Sequence, residues 1–370
     1  MEALLKSSEA SHLADSLADL GVESRELHRP WTQCHLRKYL LTRKRFHLGP
    51  TVDDMALCNP GDLVADLKVD EDLAKKLVDG AKEAQLFEKR KTAIQSTWKT
   101  VGDSLGVEAT KLFYKRLFEQ YPDVVPMFGD ANMDEQAEKL LKTVSLAVEY
   151  LKDVPALIPI LEDLGAKHAT DWKVQKEHYD AVGECLLWTL ETGLGDAWTG
   201  DVAEAWTWVY GVIGSTMSGA GEKAYFEKRK EIIQSTWKTV GDSLGVEATK
   251  LFYKRLFEEY PEVVPMFGDA DMDKQAEKLL KTVSLAVEYL NDMGELVPIL
   301  QGLGEKHAKE WKVKREHYAP VGASLLWTLE TGLGEAWTED TADAWTWVYG
   351  VIADTMADAG DKAIAEEEKE

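Results

Sequence analysis

From Phe87 onward, apolar positions recur at steps of three and four residues, and strand-like alternation does not occur. The pattern predicts a first helix over Thr92–Val101, carrying Trp98, and a second over Val107–Tyr121 with Phe113, Leu117 and Phe118 on its apolar stripe. Pro122 closes the second helix, and a short turn, Pro122–Phe128, leads to Asp134–Leu151, striped by Leu140, Val144 and Leu151. The next stripe is Leu157, Ile160, Leu161 and Leu164, and His168 continues it at the helix end. Gln175–Thr192, with Val182, Leu186 and Leu190, and Thr199–Met217, with Trp206, Val209, Val212 and Ile213, complete the series. No heptad persists over several turns. Six to seven helices in about 135 residues therefore predict a globular all-α domain and not a coiled coil.

The whole pattern occurs twice. Phe87–Lys223 aligns with Phe226–Lys362 without a gap and differs at about thirty of roughly 137 positions. Each copy is long enough to close its own core, so two complete tandem domains are expected, 87–223 and 224–370, the second with a short acidic tail. Ser218–Tyr225, broken by Gly219 and Gly221, reads as a short connector. Residues 1–86 are unlike the rest and are expected to be a small helical or partly irregular region. Leu13, Leu17 and Leu20 suggest one short helix there, and Leu73, Leu77 and Val78 another. Between them Arg37, Lys38, Arg43, Lys44 and Arg45 are interleaved with Trp31, Leu40, Leu41 and Phe46. That run suits either a helix that binds a protein partner or a basic face docked on the acidic remainder of the chain. His12, His28, His35 and His47 have no regular ligand spacing.

Charge narrows the function classes. With 66 acidic against 43 basic residues the net charge is −23, which disfavours nucleic acid and anionic membrane surfaces as partners. Cys34, Cys58 and Cys185 are too few and too scattered for a disulfide framework or a zinc site. Cys185 is replaced by Ser324 in the second copy, as expected of a structural position. No apolar run spans a bilayer and the amino terminus lacks a signal-peptide pattern, so a cytoplasmic location without a membrane span is expected.

The candidate chemistry centres on His168 and its repeat, His307. A histidine on an apolar stripe faces the interior, where its nitrogens need a hydrogen-bond partner or a metal. Gln136 lies one turn before Leu140 and shares its inward face. Tyr114 lies on the core side of its helix, close to Leu117 and Phe118. A core tyrosine and a core glutamine opposite a core histidine also need partners.

The succession Phe-Tyr-Lys-Arg-Leu-Phe (113–118), Tyr-Pro-Asp-Val-Val-Pro-Met-Phe (121–128), Gln136-Ala-Glu-Lys-Leu140, Lys-His168 and His-Tyr179-Asp-Ala-Val-Gly183, closed by Ala-Trp-Thr-Trp-Val-Tyr-Gly-Val-Ile (205–213), resembles the globins. It is similar in particular to the bacterial single-domain haemoglobins and to the globin domain of flavohaemoglobins. The resemblance covers both copies and none of the first 86 residues. It implies two globin folds and two haems per chain, each an iron protoporphyrin IX of type b. His168 and His307 match the histidine that ligates the iron; Phe128 and Phe267 match the phenylalanine stacked on the porphyrin. Tyr114 and Gln136, with Tyr253 and Gln275, match the pair on the distal side; Leu140 and Leu279 match the leucine that narrows the ligand cavity. Tyr179 and Tyr318 match the tyrosine beside the iron-ligating histidine. Gapless counting puts Gly221 and Gly360 where flavohaemoglobins carry a glutamate that makes this histidine a stronger donor.

The resemblance implies reversible binding of O₂ and other diatomics such as NO and CO, stabilised by tyrosine and glutamine donors, for oxygen storage, transport or scavenging. A second expectation is nitric-oxide dioxygenase activity. No GxGxxG follows the second copy, so electrons for such a cycle are expected from a separate reductase. A third is a gas or redox sensor, or an assembly subunit, attached to its partner through residues 1–86.

Overall fold

The computed structural model describes residues 56, 59–61 and 71–367. The basic run from Trp31 to Phe46 and the helix expected at Leu13–Leu20 lie outside the described residues. Within them all regular structure is helical. The elements are α1 (Glu71–Ser104), α2 (Val107–Gln120), α3 (Met133–Tyr150), α4 (Val154–Trp172), α5 (Lys176–Leu194), α6 (Gly200–Ser243), α7 (Val246–Glu259), α8 (Met272–Glu288), α9 (Met293–Trp311), α10 (Tyr318–Leu333) and α11 (Glu339–Glu367). The turns expected after the Tyr-Pro pairs are 3₁₀ segments, Pro122–Phe128 and Pro261–Phe267. No helix of the described residues is long and apolar enough to cross a membrane. The chain divides between Ala224 and Tyr225 into two compact units.

Two helices are longer than the sequence pattern suggests. The segments around Val78 and Trp98 form one helix, α1, which passes through Gly80. An interior glycine costs only about 1 kcal/mol, and the stripe Ala74, Val78, Ala81, Ile94, Trp98 and Val101 is buried. The expected connector Ser218–Tyr225 is likewise not a break, because α6 runs through it from Gly200 to Ser243. Gly221 serves close packing there and not a turn: a Cβ on it would lie 2.9 Å from the Gly165 carbonyl oxygen on α4.

In each unit the core is built around a tryptophan pair. Trp98 and Trp206 meet with ring centroids 5.8 Å apart, among Ile94, Val101, Leu190 and Val209. Buried indoles need an acceptor: Trp98 Nε1 donates to Ser145 Oγ and Trp206 Nε1 to Thr97 Oγ1, both at 3.0 Å. Trp237 and Trp345 repeat the pair in the second unit, at 5.8 Å, with Ser284 and Thr236 as acceptors. Within the first unit, α4 crosses α6 near the middle of that helix so closely that a Cβ at Gly165 would lie 2.2 Å from the Met217 carbonyl oxygen. In the second unit, Gly304 of α9 meets the Met356 carbonyl of α11 at 2.1 Å by the same measure.

Backbone cannot give way as a flexible side chain can, so overpacking at this crossing is expected to be severe. Gly165→Ala should destabilise the protein by at least about 2 kcal/mol. Gly211, inside α6 with nothing within 4 Å of a Cβ, should instead gain up to about 1 kcal/mol on substitution by alanine. Urea unfolding of the full chain measures both.

Candidate functional site

The cluster around Tyr114 is set by a tie between α2 and α3. Thr110 Oγ1 is 2.8 Å from both the Val107 carbonyl and the Ala137 carbonyl, so one hydroxyl bridges the two helices. One turn along α2, Tyr114 packs against Phe118 and Phe128 with centroid separations of 5.9 and 5.6 Å, and the two phenylalanines are 5.1 Å apart. Leu140 packs on the same cluster. Gln136 stands next to the tied Ala137 in the first turns of α3. Neither the Tyr114 hydroxyl nor the Gln136 amide has a hydrogen-bond partner among the described residues. Burial pushes the Tyr114 phenol up to about 12, so it keeps its proton and remains a donor.

The second unit repeats this arrangement. Thr249 Oγ1 reaches the Ala276 carbonyl at 2.8 Å. Tyr253 lies 5.8 Å from Phe257 and 5.6 Å from Phe267, with Leu279 in the cluster and Gln275 beside Ala276. Its phenol is also pushed up to about 12 by burial. A cavity of about 190 Å³ opens beside Tyr253, lined by Lys250, Lys254, Phe257, Met272 and Asp273.

His168 stands in the last turns of α4, which Lys173 terminates in the left-handed region at φ 54°. That turn lets the Val174 N–H donate to the His168 carbonyl at 3.0 Å and fixes the backbone of the histidine. His168 is half-buried, and burial lowers its pKa, so the imidazole is neutral at pH 7. Its Nδ1 lies 3.3 Å from the Tyr179 hydroxyl. Tyr179 is held by Tyr210, whose hydroxyl donates to the Tyr179 carbonyl. Gly183 makes room for that contact, since a Cβ there would be 2.3 Å from the Tyr210 ring. In the second unit Tyr349 donates to the Tyr318 carbonyl, and Gly322 makes the same room. His307, however, bonds through Nδ1 to the Leu303 carbonyl at 2.7 Å and not to Tyr318. Burial lowers its pKa, the Leu303 carbonyl partly offsets this, and Lys306 adds to it.

Gly221 and Gly360 are closely packed. A Cβ on Gly221 would also be 3.0 Å from Ala169 Cβ, and one on Gly360 would be 3.0 Å from Ala308 Cβ and 3.2 Å from the Gly304 carbonyl. A side chain at Gly221 would force the α4 backbone to shift, and one at Gly360 would need Ala308 and Gly304 to give by a few tenths of an ångström.

Several contributors were not evident in the sequence. Trp172 and Trp311 place their rings 5.2 and 4.7 Å from the two histidines. Their four-residue spacing from each histidine was a usable signal. Tyr210 and Tyr349 are 31 residues from the tyrosines they hold, and only their repetition in both copies marked them.

The donor set suits one kind of metal group. Among the described residues no cluster of three or more His, Cys, Asp or Glu could cage a metal. Each histidine has Nδ1 already engaged and offers only Nε2. A metal here would need its other ligands from outside the chain, as a porphyrin supplies, and the aromatic cluster with Leu140 fits such a planar apolar group.

Known proteins point the same way. The Globin family model matches residues 111–217 and again 250–356. The flavohemoprotein of Bacillus subtilis (strain 168) is 34% identical over 131 residues, which is 35% of this chain and 32% of that protein. The flavohemoprotein of Bacillus anthracis is 35% identical over 132 residues, with the same two shares. That of Chromobacterium violaceum is 35% identical over 114 residues, 30% of this chain and 28% of its own length. The alignments thus span about a third of the curated relatives. His168, Tyr114, Phe128, Gln136, Leu140, Tyr179 and their counterparts in the second unit lie inside the stretches matched by the family model, which together make up more than half of the sequence: the chain belongs to the globin family.

Proposed function

We propose that each unit binds one haem, through His168 in the first and His307 in the second, and that the chain binds O₂ reversibly for storage, transport or scavenging. The observation that carries this reading is the occurrence, in both units, of a half-buried histidine offering Nε2 together with a protonated phenol that has no hydrogen-bond partner among the described residues. Haem, when bound, supplies an iron with one position for the histidine and one for a diatomic gas. The chain does the rest. Phe128 and Phe267 offer a stacking face, and Leu140 and Leu279 restrict the cavity. Tyr114 with Gln136, and Tyr253 with Gln275, can donate to the electron-rich end of the gas. Such a bond contributes roughly 1.5–3 kcal/mol, or about one to two decades in an equilibrium constant. O₂ is more polarised than CO in this setting and should gain more.

A second reading is nitric-oxide dioxygenation with electrons from a separate reductase, and what favours it is the likeness to proteins named flavohemoproteins. Gly221 and Gly360 count against strong activity, because neither carries the carboxylate that would strengthen the histidine. Nitrate yield on mixing the oxygenated protein with NO, with and without a reductase, separates the two readings.

The haem content of the purified full chain, measured as the pyridine haemochrome, should be two per chain. His168→Ala and His307→Ala should each remove one, and unchanged content in both variants would reject the ligand assignment. Tyr114→Phe with Tyr253→Phe should accelerate O₂ release at least about tenfold in stopped flow. An unaltered rate would show that the phenols do not touch the gas.

A further inference from the structure

The named site residues are identical in the two units, but the residues behind the proximal tyrosine are not. Lys176, Asp180, Ala181, Ser215, Gly219 and Glu222 of the first unit correspond to Arg315, Ala319, Pro320, Asp354, Asp358 and Asp361 of the second. Pro320 has no N–H to return to the carbonyl four residues before it. The chain tightens there into a 3₁₀ turn, Arg315–His317, and α10 opens only at Tyr318. In the first unit α5 opens three residues before its tyrosine, at Lys176. Arg315 then forks onto Asp361, with Nε at 3.0 Å and Nη2 at 2.9 Å. It also binds Asp358 and has Asp354 3.7 Å away, all three on α11. Gly219 and Ser215 bear no carboxylate, so the first unit cannot build this clamp.

The histidines differ along with the corner. A neutral imidazole that ligates through Nε2 carries its proton on Nδ1, and the strength of the Nδ1–H bond sets how electron-rich the ring becomes. His307 donates to a backbone carbonyl at 2.7 Å, a short bond. His168 faces a phenol oxygen at 3.3 Å, a longer bond to a poorer acceptor.

We propose that the two haem sites are inequivalent: His307, anchored on Leu303, is the stronger donor and gives the second unit the lower reduction potential, while Tyr179 sets the potential of the first. This rests on the reading of both units as haem-binding. Tyr179 is thus a positioning residue in the first unit, and Tyr318 has no such role in the second. Over a window of ambient potentials the chain is half-reduced, with only its first unit able to take O₂.

Spectroelectrochemical titration of the full-length holoprotein, with resonance Raman of the reduced form, tests this. Two one-electron waves of equal size and two iron–histidine stretching bands are expected. Tyr179→Phe should move only the higher wave and the lower-frequency band, and Tyr318→Phe should move neither. Restoring the first unit's corner with Arg315→Lys and Pro320→Ala should draw the lower wave towards the upper. A single wave with a single band overturns the proposal, as does a Tyr318→Phe shift equal to that of Tyr179→Phe, or a corner variant that leaves both waves in place. Haem content is measured first. Fewer than two haems per chain refutes the underlying reading and the proposal with it, whereas two haems with one wave refutes the proposal alone.

Discussion

In each unit the helix that carries the histidine lies in backbone contact with the last helix, and the proximal side depends on that contact. Met217 presents its carbonyl where a Cβ of Gly165 would be, and Gly221 lies against Gly165 and Ala169 one turn further on. Two glycines on facing helices let the backbones approach at a distance that any side chain would prevent. The approach brings α4, and with it His168, within reach of the Tyr179–Tyr210 pair. It also leaves little room beside Gly165 and Ala169 for a side chain at position 221.

The distal side is governed by polar satisfaction. Thr110 spends its hydroxyl on tying α2 to α3, so the tie leaves Tyr114 and Gln136 uncommitted a turn away. An unpartnered donor in a partly buried site is unfavourable unless something arrives to accept its proton. The cost of leaving Tyr114 and Gln136 without partners among the described residues is, under the proposed function, the counterpart of affinity for a polarised gas.

Much of this was legible in the residues. His168 on the stripe of Leu157, Leu161 and Leu164, and Gln136 one turn before Leu140, follow from helical periodicity alone. Repetition 139 positions later made each assignment a double observation. What stayed hidden depends on contacts between residues far apart in sequence. Gly219 and Gly221 look like a hinge because glycine is a poor helix former, and only the approach of α4 turns Gly221 into a packing residue inside α6. Lys173 gives no sign of its left-handed backbone, since a lysine rarely adopts one. Identical His168 and His307 suggested identical pockets. Their different hydrogen bonds are decided by rotamer and by the corner that Pro320 and Arg315 rebuild, neither of which periodicity encodes.

The matched cores have a thermodynamic consequence. Ile94 and Ile233 are both 0% exposed, and Trp98 and Trp237 both 8%, with the same indole acceptors at the same distances. Two cores built from the same contacts have nearly the same intrinsic free energy of unfolding, so their transitions overlap whether or not one unit senses the other. A single sharp melting curve from this chain is therefore no sign of cooperativity. Only the ratio of calorimetric to van't Hoff enthalpy distinguishes one cooperative molecule from two independent ones that melt at the same temperature.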